Sequence, residues 1–580
     1  MKKLILCVLC ILFLLAAACQ KRQQPVSGNK SGNDPEPLSL CGLPSAVLNT
    51  PPGFDGKLVP LFAGLTENFS YPVTTTSKEA QKYFDQGLML AFGFNHPEAA
   101  RSFREAARQD PGCAMAYWGL GYVLGPNYNS VMDVNVLPQA LEAVSKAQLL
   151  AHQATPKERA LIDALSRRYP KTKDEDPQPY YQAYAKALDA VRQQFPGDLD
   201  IAALHAEALM DLHPWDLYEK NGDLKPWTPE MLRVLESILA KNPRHPQANH
   251  LYIHATEAGG QVEKALPYAN TLRRLVPGAG HLLHMPSHIY INTGHYHEGC
   301  MANERAIRMD SLYLEACNEA GIYGLALYPH NWHFLAACAA LEGRAKRALE
   351  ASRFMAEQVV NREMMRIPDL ATLQHYISIP WFIQVKFARW DEILKEPVPD
   401  ADLAYPNAIR HYARGMAYSA KGNFAAARRE LSEIERLEKD SSIATLTIWG
   451  FNKLTDVTRI ARHVLEGDIA WRQGKHETSI ALLQKAVGFE DQLQYQEPPD
   501  WFFSVRHLLG HVLISSQKYG EAERVYRQDL KKWKENGWAL KGLYLSLIRQ
   551  SKTTEAGSVQ ARFEKAWQYA DVRLESSILQ

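Results

Sequence analysis

A 34-residue spacing governs this chain and limits what it can fold into. Tyr83, Gly87, Leu90, Ala99, Phe103, Ala106 and Pro111 stand at positions 4, 8, 11, 20, 24, 27 and 32 counted from residue 79. Tyr117, Leu120, Gly121 and Leu124 restart the pattern 34 residues later, at positions 4, 7, 8 and 11. Later segments keep the register, among them Ala265–Pro277, Gly415–Leu431, Gly467–Ala486 and Gly510–Tyr526. Small residues at positions 8 and 20 let two helices approach closely. Large residues at 4, 11 and 24 fill the remaining space, and a proline at 32 ends the second helix. No stretch alternates with period two, so strands are not required.

This spacing resembles the tetratricopeptide (TPR) repeat. The resemblance implies an all-α, TPR-type helical-hairpin superhelical solenoid of about eleven units. Further segments are more specific than repeat filler: FNHPEAARSF (94–103), DPGCAMAYWG (110–119), GPNYN (125–129), HLLHMPSHIY (281–290), EPPDW (497–501) and NGWALKGL (536–543). Together they resemble a family of exported bacterial TPR lipoproteins, over roughly residues 76–550. That family brings no settled activity, so the resemblance implies architecture and no reaction.

The N-terminus reads as an address. Lys2 and Lys3 precede an apolar run from Leu4 to Leu15, too short for an ordinary spanning helix, and three alanines then lead to Cys19. This resembles a lipoprotein signal over 1–18, with Cys19 as the lipid-bearing thiol. The reading places the protein in the cell envelope, anchored by lipid on the extracytoplasmic side (periplasmic or outer-membrane in a two-membrane cell). Residues 19–75, rich in Pro, Gly, Ser and Asn, read as a tether and N-terminal cap, and 76–580 as the solenoid. The 65 basic and 64 acidic residues give a formal charge of +1, and losing Lys2 and Lys3 makes it −1. Neither value suits a nucleic-acid partner. Cys113, Cys300 and Cys338 fall in Ala-rich helical patterns and read as buried apolar residues, not a disulfide framework.

The histidines carry the functional signal. In such a repeat, positions 2, 5, 9 and 12 of the first helix line the concave groove. Eight of the 20 histidines fall on that stripe between residues 205 and 333: His205, His250, His254, His281, His284, His288, His330 and His333. Glu257 continues the stripe, and Asp211 lies near it. His250-x3-His254-x2-Glu257 and His284-x3-His288 put imidazoles one helical turn apart on neighbouring units, a spacing that suits a shared Zn, Cu, Ni or Fe ion. Glu257 is the candidate ligand or catalytic base. Leu251 and Tyr252 exclude the HExxH zincin pattern. Pro286 raises the prospect that His281 and His284 precede their helix and point elsewhere.

Two functions from different classes therefore stand. One is a membrane-anchored interaction scaffold holding a protein, peptide or envelope component in its groove, with His205, Asp211, His281, Trp118 and Tyr122 on the ligand face. The other is a metal-binding groove, with or without catalysis, built from His250, His254, Glu257, His284, His288, His330 and His333. A metal-free His-rich groove gripping an anionic or peptide ligand remains open. Trp118 and Tyr122 serve as an aromatic wall or pack against the cap. Asn95 and His96 read as a turn and helix start. His507 and His511 repeat the spacing but stand apart. Phosphate loops, dinucleotide fingerprints and nucleophile elbows are missing from the sequence.

Overall fold

The computed structural model describes residues 60–67, 69–317 and 323–580. The signal and Cys19 lie outside them. Twelve helix pairs follow one another among the described residues. They are α1 (Lys78–Phe92) with α2 (His96–Gln109), α3 (Ala114–Val123) with α4 (Leu137–Leu150), α5 (Pro156–Leu165) with α6 (Gln178–Gln194), and α7 (Leu199–Asp211) with α8 (Thr228–Lys241). Next come α9 (Pro246–Thr256) with α10 (Leu266–Leu272), then α11 (Gly280–His284) and α12 (Pro286–Thr293) sharing α13 (Tyr296–Cys317). The second half holds α14 (Tyr328–Leu341) with α15 (Ala345–Phe354), α16 (Thr372–Lys386) with α17 (Trp390–Ile393), and α18 (Ala404–Ala420) with α19 (Phe424–Leu437). It ends with α20 (Leu454–Arg472) with α21 (His476–Gln492), α22 (Arg506–Ser515) with α23 (Tyr519–Lys532), and α24 (Gly537–Arg549) with α25 (Thr553–Ala566).

The spacing of small and large residues explains the packing. A Cβ at Gly87 would stand 2.8 Å from the Phe103 ring, and one at Gly467 would stand 2.8 Å from Leu483. A Cβ at Gly510 would meet the Tyr526 ring closer still. Each pair is a position-8 glycine against a position-24 residue of the same unit. The same rings press on the next unit, Phe103 on Gly119 and Tyr526 on Gly542. One aromatic thus keys into two glycine notches and fixes both the helix pair and its stacking. Helix starts follow capping chemistry: Ser77 accepts from Ala80 N, Asn536 from Ala539 N, and Thr155 with Glu158 forms a full capping box. Asn95 caps α2, as its place in the turn suggested. Cys113, Cys300 and Cys338 are free and buried.

Two departures from the sequence reading matter. Thr447–Ile448 pairs antiparallel with Asn452–Lys453 around Trp449 and Gly450, which hold left-handed φ of 53° and 81°. Gly450 makes that turn inexpensive. Secondly, the helices that should line an open groove are covered. The segment 495–497 reaches back so that Tyr495 donates to the Glu257 carbonyl at 3.2 Å and accepts from Asn292 at 2.9 Å. Tyr296 donates to the Lys534 carbonyl at 2.7 Å, and Trp538 donates to that of Ala340 at 3.0 Å. The late repeats therefore pack onto the middle ones, and the histidine stripe becomes interior. No helix among the described residues is long and apolar enough to cross a membrane.

Candidate metal centre

Six histidines from three consecutive repeats meet inside the molecule. α9 supplies His250 and His254, α11 supplies His281 and His284, α12 supplies His288, and α14 supplies His330. Pro286 does not scatter them. It occupies the first turn of α12, where its missing N–H costs nothing, and Met285 keeps helical angles (φ −50°, ψ −36°). His281, His284 and His288 consequently stay on one face at i, i+3 and i+7.

The first triad is His250, His254 and His281. One ligating atom from each lies within 4.8 Å of the others. Nε2 of all three rings is buried and has no hydrogen-bond partner. The other nitrogen of two rings is fixed. His250 Nδ1 donates to the Phe92 carbonyl at 2.6 Å, and His254 Nδ1 donates to Glu257 Oε1 at 2.9 Å. Those donations assign Nε2 as the bare lone pair in both rings. Burial pushes the His250 and His281 imidazolium forms far below the ordinary range, and neighbouring imidazoles add to the effect. Burial also lowers His254, against the pull of Glu257. Phe94 packs on all three rings, with centroids 4.5 to 5.8 Å away.

The second triad is His284, His288 and His330, with ligating atoms again within 4.8 Å. His284 Nδ1 donates to Asn303 Oδ1 at 2.7 Å. That oxygen is the acceptor because Asn303 Nδ2 already donates to the Gly299 carbonyl at 2.8 Å. His288 Nδ1 faces Glu257 Oε2 at 2.6 Å and Glu497 Oε2 at 2.7 Å. Nδ1 of His330 is buried without a partner.

Glu257 joins the triads. Both of its oxygens meet imidazole N–H groups, one in each triad, the outer-shell arrangement that orients ligands, and with His288 and Glu497 it also forms a third group whose ligating atoms lie within 4.8 Å of one another. Burial would raise its pKa, but His254 and His288 outweigh burial and hold it below the usual range. Burial would lower His288, but the Glu257 and Glu497 carboxylates push it well above an ordinary imidazole. Burial, with Glu257 adding to it, raises Glu497. Asn292 also donates to Glu497.

Other singled-out residues lie elsewhere. His333 is in neither triad; it stacks on Phe502, with centroids 5.2 Å apart, beside His375. His205 sits 4.0 Å from Asp189. Asp211 is ion-paired with Arg168 at 3.0 Å, and Arg168 also donates to the Tyr122 and Pro126 carbonyls. Trp118 donates to the Leu161 carbonyl at 3.2 Å and stacks on Tyr122, whose hydroxyl donates to Glu207. These side chains are buried, so Trp118, Tyr122, His205 and Asp211 hold the repeats together and form no open ligand wall. His511 bonds to Ser576.

Sequence reasoning missed Glu497 and Asn303. Glu497 was visible only as part of the EPPDW segment, with no repeat position to assign it. A cavity of about 290 Å³ runs past Leu90, Asn95, Gly280, His281 and Tyr313 and so reaches the first triad.

The tetratricopeptide repeat family matches residues 91–124, one repeat length spanning α2 and α3. The chain is a TPR-type solenoid. No curated protein matches it. Among solved structures, the human IFIT1 dimer with m7Gppp-AAAA is similar at 13% identity and a TM-score of 0.31, covering 79% of this chain and 90% of that one. The APC/C hetero-tetramer Cut9–Hcn1 is similar at 14% identity and a TM-score of 0.28, covering 85% and 74%.

Proposed function

We propose that this TPR-type solenoid is built around a transition-metal centre, with His250, His254 and His281 as the primary ligands. The observation that carries the reading is a set of three buried imidazoles, each with an Nε2 that lacks a partner and each offering a ligating atom within 4.8 Å of the others. A buried polar atom left unpaired costs roughly 1–3 kcal/mol, a cost that a bound ion would offset for all three rings together. Three neutral imidazoles with a free fourth position are the donor set of zinc sites that bind water or substrate, and they equally suit Cu, Ni or Fe. The tie from His254 to Glu257 and from His250 to a carbonyl is the outer-shell arrangement that metal-bound histidines use.

His284, His288 and His330 supply a second position. It fills after the first, because His284 Nε2 and His288 Nε2 already face each other at 2.8 Å and an ion must displace that contact. The test is a chelator-competed Zn²⁺ titration of the wild type against His254→Ala and His281→Ala. The proposal expects each variant to lose more than the 10–100-fold that an outer-shell change costs. Unchanged affinity in both would overturn it.

A TPR-type solenoid fits an interaction scaffold. On this reading a protein or peptide partner docks on outward repeat faces, because the histidine stripe is interior. The N-terminal pattern adds an envelope address, with lipid on Cys19 holding the solenoid at the extracytoplasmic membrane surface. Labelling with a radioactive fatty acid, lost in Cys19→Ala, tests that address.

A further inference from the structure

A second chemical site lies away from the histidine centre, where α16, α22 and α23 meet. Lys386, near the C-terminal end of α16, is 9% exposed. Among the described residues no carboxylate lies within 4.0 Å of its amine. Its polar contact is His507, with Nζ 2.9 Å from Nδ1. The amine also lies 3.8 Å from the centroid of the Trp538 ring and 5.0 Å from that of Phe503. A buried lysine without a counter-ion is unusual, because removing an ammonium from water costs several kcal/mol.

The partner of that amine is itself oriented. His507 Nε2 lies 3.0 Å from Asp529 Oδ2, and Asn536 Nδ2 donates to the same oxygen at 3.0 Å. His507 Nε2–H donates to the ionised Asp529 carboxylate, which leaves Nδ1 as a bare acceptor aimed at the amine. The line Asp529–His507–Lys386 has the geometry of a nucleophile with an adjacent, oriented base. Burial holds Lys386 well below the ordinary ammonium range, against Asp529, and it also lowers His507.

The amine faces a cavity of about 80 Å³ walled by Phe382, Tyr412, Met416, Trp501 and Phe503. Leu579, from the C-terminal segment, completes it. Its charged lining other than Lys386 is Asp468 and Arg472, which pair with each other at 3.0 Å. A nucleophilic amine in an otherwise apolar pocket selects a small, uncharged electrophile.

We propose that Lys386 captures a small apolar aldehyde or ketone as a Schiff base in this cavity, with His507 as the proton carrier. The amine nitrogen attacks the carbonyl carbon. The new C–N bond forms as the C=O π pair moves to oxygen. His507 Nδ1 takes a proton from nitrogen and returns it to that oxygen, giving a carbinolamine. His507 Nδ1 then carries the remaining nitrogen proton to the hydroxyl, the C–O bond breaks as the nitrogen pair forms the C=N bond, and water leaves, so one carbonyl compound and one amine become one imine and one water, with no change in oxidation state. Hydrolysis reverses the step.

The test is reductive trapping of the full chain at pH 7 with butanal and sodium cyanoborohydride, read by peptide mapping. At that pH an ordinary lysine is almost wholly protonated. Lys386 should be alkylated at least about tenfold faster than the average exposed lysine. Labelling spread over exposed lysines with Lys386 unmodified would overturn the proposal, and this arm needs no variant. Lys386→Met should abolish the fast phase. His507→Asn should slow it and shift its pH profile, while circular dichroism reports whether each variant folds. A fast phase that survives in Lys386→Met would also overturn the proposal.

Discussion

The Nε2 atoms of His284 and His288 face each other at 2.8 Å, and both rings already donate through Nδ1. Two bare lone pairs at that distance repel. One proton therefore sits between them in the metal-free protein, donated by His288, the ring flanked by two carboxylates. An ion entering the second triad must expel it. Binding of the second metal equivalent should release about one proton, and its affinity should fall about tenfold for each pH unit below neutrality. Calorimetry of the second equivalent in two buffers of different ionisation enthalpy checks this, and a heat independent of buffer would contradict it.

Glu257→Gln tests the link between the triads. The amide can accept one imidazole N–H, but its NH2 group must then face the N–H of the other ring. Metal affinity should drop 10–100-fold, as outer-shell changes do. The apo protein should also lose about 1–3 kcal/mol, because a buried donor is left unpaired. Zn²⁺ competition and urea unfolding of the apo form measure the two effects separately.

Gly119→Ala tests the glycine notches. The added methyl would meet the Phe103 ring well inside contact distance, and Phe103 is already pressed on Gly87. The expected cost is about 1–3 kcal/mol, as for overpacked cores. The control is Gly488→Ala, where a Cβ meets nothing within 4 Å; it should be neutral or stabilising. Thermal melts of the two variants should separate clearly.

Asp500 carries a pH signature. Burial raises its pKa from 3.8 to about 7, against a hydrogen bond from Asn452 at 2.7 Å. The folded state thus holds a proton that the unfolded chain has lost, and stability from this group falls as pH rises from about 4 to about 7. Asp500→Asn keeps an oxygen for Asn452 and cannot ionise. The variant should match the wild type near pH 4 and exceed it by on the order of 4 kcal/mol at pH 7. A stability difference independent of pH would contradict this assignment.

The repeat and the histidine face were legible because both rest on local periods. Gly87 and Phe103 announce a helix pair through the 34-residue spacing, and His250, His254 and Glu257 announce one face through the 3.6-residue turn. The state of that face was not legible. Whether a groove stands open depends on the superhelix closing, and that closure comes from Tyr495, Glu497 and Lys534, over 200 residues beyond Glu257 in the chain. The same closure explains why His333, at the same repeat position as His284, faces Phe502 and not the metal ligands. Glu497 lies in an irregular Pro-rich turn, where no period assigns a direction to a side chain. Lys386 ends an apolar helix, and its contact with His507, 121 residues further along the chain, follows from how the repeats pack and from no local period.

The most direct test of the central claim is elemental analysis of the protein purified without chelator, alongside a His250→Ala/His254→Ala/His281→Ala variant that retains its helical circular dichroism. The account predicts one to two first-row transition-metal ions per wild-type chain and the loss of at least one in the variant. A folded wild-type protein that carries no such ion and takes up none on incubation with Zn²⁺, Cu²⁺, Ni²⁺ or Fe²⁺ would contradict it.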